Sequence, residues 1–191
     1  MKIILTAIVI MASITVNAIE YVPIRDADVS EPAMSITKDK EGAWLEVTAR
    51  EWQDVVFTDD GEKSYIYQQG YNYQKQKGFL KTYTTDRKLV NEVYTPESGG
   101  MVSREELMKA FEIFKNHDAI HETLAKEITP IYIFGGFGYA DKTPNAACYL
   151  GQRCVHVFAH TDSKDMIAHA IVKLNDQTIP YPDFDGLNAK K

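Results

Sequence analysis

The sequence between residues 153 and 174, RCVHVFAHTDSKDMIAHAIVKL, decides the fold class, because it predicts two strands joined by a short polar turn. Apolar side chains recur at every second position of each segment, residues 153–161 and 166–174, which places them on one face of a strand. They are Val155, Val157 and Ala159 in the first segment and Ala168, Ala170, Val172 and Leu174 in the second. A connection this short allows only antiparallel pairing, since parallel strands need a crossover of about a dozen residues. We therefore expect an antiparallel hairpin that turns near Ser163.

Strand-like segments lie on both sides of this hairpin. Asp59-Asp60-Gly61 is a turn signal between two such segments, and the glycines of residues 135–138 indicate a bulge or the close approach of another backbone. Further strands are predicted over residues 43–50, 52–58, 64–68, 79–84, 88–95, 131–139 and 178–181.

Two helices are predicted between the two groups of strands. Ser103 and Glu106 form a capping box, and a stripe of apolar residues on one helical face follows it. A second short helix is predicted with Asp118 as its cap and with Ile120, Leu124 and Ile128 as apolar positions, and it ends before Pro130. The order of elements predicts an α+β fold, in which a curled antiparallel sheet packs on one or two helices.

The chain divides into four segments by composition. Residues 1–18 form a short basic start, an apolar run and a small-residue site before Ile19, which is typical of a bacterial signal peptide, and a permanent anchor is the alternative. Residues 19–42 are interpreted as an extended arm, 43–182 as a single domain with a possible division into 43–100 and 101–182, and 183–191 as a polar tail. We expect a periplasmic or secreted protein with no stable membrane insertion after signal cleavage.

Cys148 and Cys154 are the two cysteines of the chain, and they enclose a loop that contains a glycine. In an oxidising compartment such a pair favours a disulfide across a hairpin. A redox-active pair is the alternative, but it usually has only two residues between the cysteines.

The histidines suggest two candidate metal sites. His117 and His121 have the spacing of ligands on one helical face, although no glutamate completes the zinc motif. His156, His160 and His169 share one face of the predicted hairpin, and the turn sets His169 opposite Phe158 or His160. Since His156 and His160 lie about 13 Å apart along their strand, a single ion could join His169 to only one of them. The alternative is a pH-sensitive polar rim beside Phe158.

A second candidate surface is rich in tyrosine. Tyr65, Tyr67, Tyr71 and Tyr73 lie within nine residues, together with glutamine and asparagine. Exposed tyrosines of this kind suit a contact surface for another molecule, because their rings bury much area at low entropic cost. The alternative is a strand with aromatic pairs across the sheet.

Residues 103–181, from SREELMKAFEIF to AHAIVKLNDQTIPYP, resemble the small cystatin-like amino-terminal domains of copper amine oxidases. The resemblance implies a helix packed on an antiparallel sheet. It does not extend to the catalytic domain of that family, because Asn72-Tyr73-Gln74 lacks the acid of the modified-tyrosine motif and the chain has no His-x-His pair. No catalytic residue is therefore implied.

The sequence favours binding over catalysis. A formal charge of −6 without a basic block excludes a role in coating nucleic acid, and no catalytic group or cofactor motif is assembled in the sequence. We therefore expect an exported, non-catalytic module that needs no cofactor and binds another protein, as an inhibitor, an immunity-type protein or an accessory subunit does. Its binding surface is expected to be the sheet face that carries Phe158 or the tyrosine-rich hairpin. The alternatives are a small metal-dependent hydrolase built on the histidines and a small-ligand carrier.

Overall fold

The computed structural model describes residues 21–23, 31–96, 100–127, 130–163 and 165–184, and the predicted signal peptide over 1–18 lies outside these ranges. These residues form an α+β fold, as the sequence predicted, with two sheets of five strands and two helices. The strands are β1 (Tyr21–Pro23), β2 (Ser35–Lys38), β3 (Trp44–Thr58), β4 (Gly61–Asn72), β5 (Lys77–Thr84), β6 (Leu89–Thr95), β7 (Ile131–Tyr139), β8 (Cys154–His160), β9 (Met166–Lys173) and β10 (Thr178–Tyr181), and the helices are α1 (Arg104–Lys115) and α2 (Asp118–Leu124).

The N-terminal sheet has the order β2-β3-β4-β5-β6, and all its neighbours are antiparallel. Its longest hairpin joins β3 to β4 through the turn predicted at Asp59-Asp60-Gly61. We expected two strands over residues 43–58, but β3 is one continuous strand, because a register shift between Thr48 and Arg50 absorbs the break in alternation without ending the pairing with β4.

The C-terminal sheet has the order β1-β7-β8-β9-β10. Strands β7 to β10 are antiparallel, and the predicted hairpin of β8 and β9 is present with Phe158 opposite His169. Strand β1 instead pairs in parallel with β7, so the expectation of purely antiparallel pairing is wrong at this edge. Both β1 and β2 lie within residues 19–42, the segment interpreted as an extended arm.

The main core lies between the helices and one face of the C-terminal sheet. The capping box at the start of α1 is confirmed, since the Ser103 amide donates to Glu106 Oε2 (2.8 Å) and the Glu106 amide donates to Ser103 Oγ (3.3 Å). The buried side chains of this core come from alternate positions of β7, β8 and β9 and from the inner faces of both helices, and include Leu107, Phe111, Phe114, Leu124, Ile131, Ile133, Val155, Val157 and Val172.

Helix α2 differs in detail from the prediction. Its N-cap is His117 rather than Asp118, and no side chain caps it by a hydrogen bond. The helix ends at Leu124, and the predicted apolar position Ile128 lies outside the described residues. Within the described ranges, no helix is long and apolar enough to cross a membrane.

Candidate functional site

The outer face of the C-terminal sheet, which points away from the helices, is built almost entirely from rings. On β8, His156 and Phe158 alternate with buried valines and point outward. His169 on β9 lies opposite Phe158. We call this surface the ring face. It consists of Tyr132, Phe134, Phe137, Tyr139, His156, Phe158, His160, His169, Tyr181 and Phe184.

A bulge in β7 adds two rings to this face. The register between β7 and β8 shifts between Gly135 and Gly138, as the run of glycines predicted. Gly136 adopts a φ of +98°, a conformation that favours glycine, and a Cβ there would point toward Val102 on the helix side. Because the bulge reverses the alternation, Phe137 and Tyr139 point outward with Phe134 instead of inward.

His156 and His169 meet in the middle of the ring face. His156 Nδ1 and His169 Nε2 are 2.9 Å apart, so one nitrogen donates a hydrogen bond and the other accepts it. The Phe158 ring stacks on His169 with the centroids 4.0 Å apart, and His169 is only 7% exposed. This packing holds both imidazoles in fixed orientations.

His160 occupies the same face but not the same cluster. Its ring stacks on Tyr132 with the centroids 5.2 Å apart, and its Nδ1 lies 2.7 Å from the carbonyl oxygen of Thr161. The structure therefore brings two of the three predicted histidines together. Among the described residues, no three His, Cys, Asp or Glu side chains are arranged to hold a metal ion.

The disulfide closes one end of the ring face. Cys148 and Cys154 are bonded, as predicted, and pack with Ile171 beneath Tyr139, Tyr181 and Phe184. The Phe184 amide donates to the His169 carbonyl at 2.9 Å. Phe184 thus belongs to this packed end, although we expected a polar tail from residue 183. The rest of the predicted tail, residues 185–191, lies outside the described ranges.

The ring face remains accessible over much of its area. Phe137 is 65% exposed, and the other rings apart from His169 are partly buried. No described helix or strand covers this side of β7 and β8. A surface of fixed, partly exposed rings that carries imidazole nitrogens can form both apolar contacts and a few directed hydrogen bonds.

The four predicted tyrosines, three on β4 and Tyr73 in the turn that follows it, do not form the single exposed surface that we predicted. Tyr71 is fully buried, and its hydroxyl donates to the carbonyl of Gly151 and accepts from Asn175 Nδ2 (2.9 Å). Burial raises the pKa of Tyr71 to about 12, so this hydroxyl stays protonated. Tyr65 and Tyr67 lie farther along the strand, where Tyr67 stacks on Trp52, which is the aromatic pairing expected as the alternative.

The other histidine pair is not arranged for binding a metal. His117 precedes α2 with an extended backbone (φ −78°, ψ 124°), while His121 lies inside the helix. The two side chains therefore do not lie one turn apart on a common helical face, which the metal hypothesis requires.

A buried ion pair links helix α1 to the start of β8 and was not predicted. Arg153 Nε and Nη2 each donate to a carboxylate oxygen of Glu106 at 2.9 Å, and both side chains are at most 1% exposed. The hydroxyl of Tyr73, in the turn between β4 and β5, donates to the same carboxylate at 2.7 Å. Glu106 was visible in the sequence only as a capping residue, and nothing local links it to Arg153, 47 residues away.

No protein-family model matches the chain, and no curated protein matches it in sequence.

Proposed function

We propose that this chain is an exported, non-catalytic module that binds another protein through its ring face. The observation that carries the proposal is the continuous set of rings from Tyr132 to Phe184 on the side of the C-terminal sheet away from the helices. Aromatic side chains are enriched at protein interfaces, because each buries a large area while only a few torsion angles become fixed.

The rigidity of the ring face supports recognition rather than catalysis. The disulfide, the Phe184 amide and the His156–His169 hydrogen bond fix the rings before any partner arrives. A surface that is already ordered loses less entropy on association, which favours affinity. The disulfide also supports export, because such bonds persist in oxidising compartments.

The fold supports the same proposal for residues 103–181. Helix α1 packs on antiparallel strands β7 to β9, which is the arrangement that the resemblance to the cystatin-like domains of copper amine oxidases implies. The resemblance implies a helix-on-sheet scaffold and no catalytic residue. A binding role such as that of an inhibitor, an immunity-type protein or an accessory subunit therefore needs nothing beyond this scaffold and its ring face.

A photo-crosslinking experiment in the native periplasm tests this proposal. A photoreactive phenylalanine analogue is placed at Phe137, and a matched analogue at Phe57, which is 78% exposed at the tip of the β3–β4 hairpin. We expect one predominant protein adduct from position 137 and not from position 57. The purified partner should then bind the F137A/F158A double variant at least tenfold more weakly, while F57A binds as the unchanged protein does.

Two outcomes would contradict the proposal. If positions 137 and 57 give the same set of adducts, the ring face has no selective partner. If the purified protein instead contains stoichiometric zinc or copper that is lost in the H169A variant, the metal-dependent hydrolase becomes the better hypothesis.

A further inference from the structure

An open groove between the two sheets forms a second candidate site, on the opposite side of the C-terminal sheet from the ring face. It has a volume of about 440 Å³, within the usual range for sites that bind small molecules. Junctions between structural units are common places for such sites. We call it the inter-sheet groove, and its chemistry comes from Trp44, Gln74, Asn175, Gln177, Lys38 and Lys109.

Trp44 provides an aromatic platform in the groove. Its ring is partly buried and lies against Tyr73, with centroids 5.7 Å apart and planes inclined by 57°. Tyr73 is held in turn by its hydrogen bond to Glu106, and Leu174 is buried below. The platform is therefore fixed, and it can receive the apolar face of a flat or ring-shaped ligand.

Three side-chain amides line the polar part of the groove. Asn175 is oriented by two hydrogen bonds, since its Oδ1 accepts from the Arg153 amide (2.5 Å) and its Nδ2 donates to Tyr71 (2.9 Å). Gln74 and Gln177 are exposed at the rim. Each amide offers both donors and acceptors, which suits the neighbouring hydroxyl groups of a sugar better than an apolar ligand.

The charges of the groove favour an anionic ligand, although the whole chain is acidic. Lys38 and Lys109 contribute two ammonium groups, whereas Asp39 is the single acid that lines the groove. The Asp39 carboxylate already accepts a hydrogen bond from the Ala43 amide at 2.7 Å. Lys109 contacts Glu112 at 3.4 Å in an exposed pair, which a stronger anion can replace at little cost.

We propose that the inter-sheet groove binds a short acidic saccharide. One sugar ring lies on Trp44, its hydroxyl groups bond to the amides of Asn175 and Gln177, and its carboxylate lies between Lys38 and Lys109. This site is separate from the ring face, so each can bind in the absence of the other.

Tryptophan fluorescence gives a direct test, because the chain contains only Trp44 and Trp52. Trp52 lies far from the groove, stacked on Tyr67 and under Arg50, so the W52F variant reports on Trp44 alone. The probes are digalacturonate, its methyl ester, a hyaluronan tetrasaccharide and the disaccharide of N-acetylglucosamine and N-acetylmuramic acid. We expect a saturable change in Trp44 fluorescence with at least one of the three acidic probes. If digalacturonate is that probe, its neutral methyl ester should bind at least tenfold more weakly.

Variants localise the binding, with calorimetry as the readout. W44A and the K38A/K109A pair should each weaken the binding at least tenfold, whereas K63A, a control lysine on the distal hairpin, should leave it unchanged. No saturable response to any of the three acidic probes would overturn the proposal. So would binding that is equal in W44A and in the unchanged protein. Neither result bears on the ring face, because Phe137 and Phe158 do not line the groove.

Discussion

Replacing Glu106 with glutamine should destabilise the fold strongly, because the substitution removes one charge of a buried pair and leaves the other. Arg153 is 1% exposed, so its guanidinium would stay away from water after losing the negative charge of Glu106. Glutamine has nearly the same shape and can still take part in the capping box with Ser103. The E106Q variant therefore removes the charge, and because the new NH2 group cannot accept, it also removes hydrogen bonds that one carboxylate oxygen accepted.

The expected loss in the free energy of unfolding is about 3 kcal/mol, the lower end of the range for breaking a buried ion pair. The lower end applies because Arg153 also donates to the carbonyl oxygens of Gly100 (3.1 Å) and Met101 (3.2 Å), which remain after the substitution. For a chain of this length, the same loss lowers the melting temperature by roughly 6–12 °C.

Urea denaturation followed by circular dichroism measures this loss. The matched control is E112Q, which breaks the exposed contact with Lys109 and should cost less than about 0.5 kcal/mol. The E106Q/R153M double variant should lose less than the sum of the two single variants, since it leaves no unpaired buried charge. An E106Q variant within 1 kcal/mol of the unchanged protein would refute the reasoning, because the pair would then not be desolvated as the structure indicates.

Two other perturbations give defined outcomes. Burial alone raises the pKa of the Glu106 carboxyl, but the charge and hydrogen bonds of Arg153, with those of Ser103 and Tyr73, lower it below its ordinary range. The unfolded chain therefore binds this proton more tightly than the folded chain does. The ion pair stabilises the fold at pH values above the ordinary pKa of a glutamate, and this stabilisation is lost as the pH falls through that pKa toward the folded pKa. Urea denaturation at a series of pH values should therefore show a smaller loss of stability in acid for E106Q. The C148S/C154S variant should lose about 2 kcal/mol in the same assay, given its short closed loop, and an unchanged midpoint would argue against that stabilisation.

Local patterns predicted most of the elements correctly, because local chemistry decides them. The hairpin of β8 and β9, the capping box at Ser103 and the bulge near Gly136 each depend on residues close together in the sequence. Strand β2 had no such signal, since it is a short, largely exposed segment that becomes a strand by pairing with β3. Its structure comes from a tertiary contact, which alternation cannot reveal.

The tyrosines show a second limit of periodicity. Tyr65, Tyr67 and Tyr71 occupy alternate positions of β4, so period two assigns them to one face. Burial, however, depends on what covers each part of that face. Gly151 and Arg153 of the C-terminal half cover only the end at Tyr71, and the sequence gives no sign of which end they contact.

The histidines show how a single local interaction selects a site from two that the sequence allows. Opposite Phe158, His169 has two diagonal neighbours on β8, His156 and His160, and the alternation of the sequence treats them alike. The register shifts between Ala159 and His160, next to the turn, where His160 instead stacks on Tyr132 and bonds to the Thr161 carbonyl. His169 is left to pair with His156, beside the disulfide and Phe184. The polar centre of the ring face therefore lies between Phe158 and Phe184 rather than at the turn.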